Sequence, residues 1–379
     1  MELKFIGSNK PTIGVEIELQ VLNAETLDLT PQSELLIQKA IDIGLERVKP
    51  EVHQSMIEID SEISCDIKEC RTFLSSRSKL LGSIANELGL KLAISGTHPF
   101  QRWADRQFSP DIRYQNFHDR YQWLARRMNV YGLHVHIGVK SGKLALAISN
   151  VLVKYLPHLL ALSANSPFWQ GLDTGMNSSR INIMDSFPFG GIPQQFKQWS
   201  EFEHYYETLS HIGIISSLKD LYWHIRPNLE YGTVELRICD AMSTLDETMS
   251  IAALFQTLVV YASEHLENQP NDWLWSPEQQ WIAPENQWIA ARDGLNGLII
   301  TNLQGNREKI SESILQLIET LSPTAKKLNC YEELQAISRI IINGNGAERQ
   351  RNLFKDSQSF QEVVLNMSNE FNDSFVKAC

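Results

Sequence analysis

The chain lacks the common signatures of a phosphate-binding loop. It has no G-x-G-x-x-G opening a helix after a strand and no G-x-x-x-x-G-K-[ST], which excludes a Rossmann-type dinucleotide site and a P-loop. It is also short of basic charge: Lys and Arg number 34 against 45 Asp and Glu, a formal net charge of -11. A nucleic-acid partner is therefore not expected, because phosphate backbones are held by clustered cations. Nucleotides remain accessible to such a protein through a few arginines and a divalent cation. No apolar run reaches the ~20 residues that span a bilayer, and the opening MELKFIGSNK has no leader-like apolar core, so no membrane association and a cytoplasmic location are expected. The cysteines (Cys65, Cys70, Cys239, Cys330, Cys379) are odd in number and form no C-x-x-C pair. That pattern fits reduced thiols rather than a disulfide framework or a zinc site. Internal repeats, low-complexity tracts and linker-like stretches are missing too. The expectation is a single domain over 1–379, mainly helical from about residue 245.

What is present is alternation. TIGVEIELQVL (12–22) reads as a strand running into a turn at Asn23–Asp28, and Ser33–Gly44 as a helix. Met56–Cys65 alternates again, 69–89 shows helical spacing, and LKLAISGTHPF reads as a strand followed by a loop. LHVHIGV is the clearest strand in the chain, and an apolar helix interrupted near Pro157 follows it. Residues 170–195, rich in Gly, Ser, Asn and Pro, read as a long loop. LYWHIRP and YGTVELRICDA then read as a hairpin. Strands in hairpins with helices gathered toward the end predict an α+β fold with a largely antiparallel sheet and helices packed on one face.

Side chains at i and i+2 of a strand share a face. Glu16 and Glu18 therefore lie together opposite Val15, Ile17 and Leu19, and His134 and His136 lie opposite Leu133, Val135 and Ile137. His224 pairs with Arg226 in the same way, and Glu235 with Arg237. Each pair alone could be a solvated sheet face or a surface ion pair. Four strands with an apolar face opposite an ionisable one are instead read as converging on a cavity. Carboxylates, imidazoles and guanidiniums together suit a divalent metal and an anionic substrate. Glu58 in QSMIEID joins the acids. Arg180 in the Gly/Ser-rich loop is a candidate carboxylate clamp, and Arg292, Arg349 and Arg351 are candidates for nucleotide phosphates, with helix-surface arginines as the alternative. The Trp-rich stretch around Trp273, Trp275, Trp281 and Trp288 is a candidate homodimer interface, with ordinary loop packing as its alternative.

GVEIEL, QSMIEID, LHVHIGV, SSRIN, HIRPNLEYGTVELRICDA and GNGAERQR occur in the order and approximate spacing of one family. Over residues 12 to about 352 the chain resembles the carboxylate–amine ligases of glutamate–cysteine ligase family 2, in its compact bacterial and cyanobacterial form. The resemblance implies a glutamine-synthetase-like catalytic sheet holding magnesium and ATP. The implied activity is γ-glutamylcysteine synthesis, the first step of glutathione biosynthesis, or a related condensation. By motif it implies Glu16, Glu18, Glu58, His136 and Glu235 as metal ligands. Arg237 would sit on the phosphates as a catalytic residue with Glu235 and Arg226, while Arg180, Arg226 and His134 would contact substrate, and Arg237, Arg292 and Arg349 the nucleotide.

The expected reaction converts a carboxylate into an acyl phosphate at the expense of ATP, after which an amine displaces phosphate. Manganese is expected to substitute for magnesium, since imidazole is an atypical magnesium ligand. The substrates would be glutamate, ATP and cysteine or another amine. Three alternatives are a ligase with a different acceptor, a metal-dependent hydrolase and a non-catalytic protein that binds nucleotide on a degenerate sheet; the arginines speak against the second, and the intact ionisable residues on all four strands against the third.

Overall fold

A computed structural model describes residues 3–268 and 277–376 of the chain. Strand β1 (Ile13–Asn23) is the axis of the main sheet. It is flanked by β2 (Val48–Pro50), β3 (Met56–Asp60), β4 (Leu90–Ala93) and β5 (Leu133–Gly138). A small hairpin, β6 (Phe168–Trp169) and β7 (Leu172–Asp173), stands apart. The sheet is completed by the hairpin β8 (Ile225–Asn228) and β9 (Thr233–Leu236). The strand order is β2-β3-β1-β5-β9-β8, with β4 also paired to β1, and every pairing is antiparallel.

The alternation in the sequence decides which face is buried. Val15, Ile17, Leu19, Val135, Ile137, Val234 and Leu236 all lie in one apolar core and are essentially inaccessible to solvent. Helices Ile67–Glu87, Gly142–Leu152 and Leu245–Asn268 cover that face. Asp66 caps the first of them, its carboxylate accepting from Glu69 N at 2.9 Å. Beyond it Gly89, at φ +67°, turns the chain into β4. The helical run Gly142–Ser163 is long and apolar enough to cross a membrane, but 72% of its most apolar window is buried inside the protein, so it reads as a core element. Pro157 sits in the first turn of its last segment, Leu156–Ser163, where the missing N–H costs nothing.

The structure differs from expectation in detail. The second strand stops at Asp60 rather than Cys65: Ser61 N still donates to the carbonyl of Val15, but it is Ser61 Oγ that accepts Val15 N–H where a backbone carbonyl would continue the ladder. The 170–195 loop contains β7 and the short helix Arg180–Met184. The C-terminal part adds the hairpin β10 (Leu298–Ile300) and β11 (Arg307–Lys309) to its helices. Cys379, Trp273 and Trp275 lie outside the described residues; Trp281 and Trp288 are exposed.

Candidate active site

The antiparallel register sets out the polar face row by row. Glu18 lies opposite Glu58, which lies opposite Lys49. Glu16 lies between Asp60 on one side and His134 on the other. His136 faces Glu235, and Glu235 faces Arg226. Residues distant in the chain thus meet because one apolar face had to be buried.

Two groups could each hold a cation. Ligand atoms of Glu16, Glu58 and His134 lie within 4.8 Å of one another, and so do those of Glu18, Glu51 and Glu58. Glu58 belongs to both. The electrostatics show what this crowding costs. Burial, then the charges of Glu16, Glu51 and Asp60, push the Glu58 carboxyl well above its ordinary value. Burial and the neighbouring Glu51 raise Glu18 to about 8, although Glu18 also accepts Gly132 N–H. Burial likewise raises Glu51 and Asp60. Lys49 is the nearest cation, bonded to Glu58 at 3.3 Å and paired with Asp60. A set of carboxylates that resists ionising together, built only of hard oxygen donors and one imidazole, suits a divalent cation such as magnesium or manganese.

The imidazoles divide. His134 Nδ1 lies 3.2 Å from Glu16 Oε2, and burial together with the Arg237 charge lowers it to about 4, so it stands neutral beside the acids. His136 lies 3.5 Å from Glu16 Oε1 and 3.0 Å from Thr233 Oγ1. Burial opposes its charge, but Glu16 outweighs that and raises its pKa, while the two imidazoles hold Glu16 well below the usual carboxylate range. The imidazole expected at the metal from the resemblance was His136, and the one grouped with Glu16 and Glu58 is His134.

Glu235 stands outside both groups. Arg226 Nε and Nη2 grip it at 2.9 and 3.1 Å, Asn228 donates at 2.9 Å and Arg237 Nη1 at 2.5 Å. Its oxygens are engaged by protein donors, and Arg226 and Arg237 overcome burial to hold its carboxyl well below normal. Arg226 spends its remaining nitrogen on the carbonyls of Leu218 and Leu221. Unlike Arg226, Arg237 keeps capacity, since its Nε is buried without a partner, a feature that the Nε of Arg180 shares.

The other arginines are placed differently from expectation. Arg180 is 1% exposed: it donates to the carbonyls of Ile238 and Arg237 and lies 3.8 Å from Asp240, a carboxylate that also accepts from Ser166, Ser178 and Asn165 N. It packs over Gly132, where a Cβ would overlap its guanidinium. Its geometry is that of an interior brace beneath the site. Arg292 is surface-exposed and forks Asp293. Arg349 grips Glu247 at the start of the helix Leu245–Asn268, and Arg351 grips Asp173. The GNGAERQR segment is a helix start: Asn345 and Glu348 form a reciprocal cap, and Gln350 reaches back to Asn165.

Glu51, Asp60 and Lys49 were not anticipated. Asp60 obeys the same i, i+2 rule that paired Glu16 with Glu18 and could have been found from Glu58. Glu51 follows a three-residue strand and enters the site only through the β2–β3 pairing.

Comparison with known proteins agrees with this architecture. The sequence profile of glutamate–cysteine ligase family 2 matches residues 12–366. A protein of Gloeobacter violaceus, provisionally named glutamate–cysteine ligase 2, is 39% identical over 374 residues, covering 97% of this chain and 98% of its own length. Among solved structures, a glutamate–cysteine ligase from Francisella tularensis in complex with AMP superposes with a TM-score of 0.72 at 11% identity, covering 98% of this chain and 90% of that one. A bifunctional glutathione synthetase from Pasteurella multocida superposes with a TM-score of 0.69 at 14% identity, covering 96% and 52%. At such identities the superpositions speak for the α+β, glutamine-synthetase-like fold, whereas the profile and the Gloeobacter relative speak for descent: this chain belongs to glutamate–cysteine ligase family 2.

Proposed function

We propose that the protein is an ATP- and magnesium-dependent ligase that joins the γ-carboxylate of glutamate to the amine of cysteine, acting in the cytoplasm as one catalytic domain. The observation that carries the reading is the crowding of Glu16, Glu18, Glu51, Glu58 and Asp60 on one face beside Arg237, whose Nε is buried and unpaired. Family membership supports it.

A carboxylate oxygen is a poor leaving group at neutral pH, so the substrate carboxylate must first become an acyl phosphate. Glu16, Glu58 and His134 would hold one cation and Glu18, Glu51 and Glu58 another. Bound magnesium would supply positive charge to the oxygens of the nucleotide phosphates. Arg237, whose side chain is partly exposed, would meet the transferring phosphoryl group with donors that Glu235 does not take. Glu235 fixes the guanidinium by its 2.5 Å contact with Nη1, and Arg226 fixes Glu235 from the neighbouring strand. His136, bridged between Glu16 and Thr233, orients Glu16. The amine, in its neutral form, then attacks the acyl carbon; the C–N bond forms as the C–O bond to phosphate breaks, the departing phosphate takes up the proton that the nitrogen loses, and no nucleophilic side chain is needed.

ADP release from ATP and magnesium, measured with glutamate and a panel of amines that includes cysteine, tests the proposal once product masses are confirmed. Turnover requiring both glutamate and cysteine supports it. Turnover with another amine keeps the ligase and replaces the acceptor, and no ADP with any pair refutes it.

A further inference from the structure

The carboxylate face carries a cation of its own. Strand β2 is a three-residue edge strand paired with β3. Its register sets Val48 opposite Ile59 and Lys49 opposite Glu58. Val48 therefore turns into the apolar core and Lys49 onto the carboxylate face. There Lys49 Nζ lies 3.3 Å from Glu58 Oε1 and also pairs with Asp60 Oδ2, the next acid on the same face of β3. The two carboxylate side chains are 10% and 8% exposed, whereas the lysine side chain is 42% exposed.

Glu58 is the residue that both ligand groups share. With Lys49 on Oε1, only Oε2 is clear of the ammonium, although two groups draw on this one carboxylate. Nor does a single ammonium satisfy the face. Asp60 Oδ1 stays buried without a partner, and one positive charge stands against Glu16, Glu18, Glu51, Glu58 and Asp60. A divalent cation brings twice the charge and takes about six oxygens or more, so it competes well for the same atoms. The lysine can also leave at little cost. Its side chain stands on an edge strand and is partly in water, and a four-carbon stem with a hydrated end swings outward without disturbing the core.

We infer that Lys49 is a built-in competitor for the metal: its ammonium neutralises Glu58 and Asp60 before a metal binds, and a divalent cation that engages Glu58 expels it toward solvent. The lysine thus steadies the crowded acids and lowers the affinity of the face for a cation by the same contacts. This rests on the reading of Glu58 as a shared cation ligand and extends it to the residue that opposes the cation.

Manganese titration of the nucleotide-free protein, with free manganese read by electron paramagnetic resonance, measures the competition without catalysis. Lys49→Met keeps the stem and removes the charge. It should bind manganese about five- to tenfold more tightly than the wild type, a gain limited by the exposure of the ion pair. Lys49→Arg keeps the charge and should bind no more tightly than the wild type. Thermal unfolding gives the second readout. In chelator Lys49→Met should melt below the wild type, because Glu58 and Asp60 lose their counter-ion, and saturating manganese should raise its Tm by more than it raises that of the wild type. Unchanged or weaker manganese binding in Lys49→Met, or a Tm deficit that saturating manganese leaves in full, overturns the inference and makes the lysine a fixed structural partner. Failure of the cation reading looks different: neither the wild type nor Lys49→Met would then bind manganese, which overturns both.

Discussion

Glu18→Gln should make the protein more stable while removing its activity. Glu18 lies opposite Glu58 in the sheet, is grouped with Glu51 and Glu58, and accepts Gly132 N–H. Glutamine keeps the volume and the acceptor oxygen and removes only the charge. The sign of the effect follows from linkage. In the folded protein the carboxyl holds its proton up to about pH 8, whereas in the unfolded chain it releases it near 4.5. The group therefore favours folding most below the unfolded value and loses that contribution as pH rises through this interval. The whole interval corresponds to ~5 kcal/mol at ~1.4 kcal/mol per pH unit, an upper bound. The side chain borders a cleft that water reaches, and neighbouring carboxyls share the proton, so we expect ~1–2 kcal/mol, or ~2 °C in Tm for a chain of this length.

The assay is thermal unfolding of both proteins with a chelator at about pH 5 and about pH 8.5, then again with saturating magnesium. The variant should gain on the wild type between the two pH values, and magnesium should narrow the gap by stabilising the wild type preferentially. An equal difference at both pH values, or a variant less stable than the wild type at the higher one, would refute the view that this face stores carboxylate repulsion for a cation to relieve.

Glu58→Gln removes the ligand shared by both groups; turnover should fall by ~100-fold or more and the magnesium dependence should shift to higher concentration, as read from ADP release against magnesium. Arg180→Ala leaves Asp240 buried without its cation, so unfolding free energy should drop by ~3–5 kcal/mol in a denaturant titration. A fully stable Arg180→Ala protein with only a raised KM for its amino-acid substrate would show instead that the guanidinium faces ligand. Manganese should replace magnesium and bind more tightly, because His134 offers an imidazole. The preference should shrink in His134→Asn, measured as the ratio of the two half-saturating concentrations.

Much of the sheet was legible because the period of two exposes itself. V-E-I-E-L and H-V-H-I state which face is buried, and burial of that face then compels the others to meet. Glu51 escaped because β2 is too short to alternate, and its position depends on a pairing that no local pattern announces. The arginines were less legible for another reason. Whether a guanidinium faces ligand or braces the interior depends on depth and on what its five N–H groups already hold, and sequence carries neither. Arg180, Arg226 and Arg237 all belong to family motifs, yet Arg226 spends most of its donors on protein oxygens and Arg180 lies in the interior with two of its nitrogens on backbone carbonyls.

That distribution has a physical logic. A face bearing five mutually repelling carboxylates invites nearby cations to collapse onto it, and Lys49 already pairs with Glu58 and Asp60. A flexible Arg237 would do the same to Glu16 or Glu18 and occupy the place meant for a metal. Glu235 prevents this by holding Arg237 at one edge, and Arg226 prevents Glu235 from joining the carboxylates by gripping it through two nitrogens. Glu235 therefore works as a spacer between the cation-binding half of the face and its anion-binding half. A buried ion pair returns little net stability, but here it keeps two opposite charge requirements apart on neighbouring strands of one sheet.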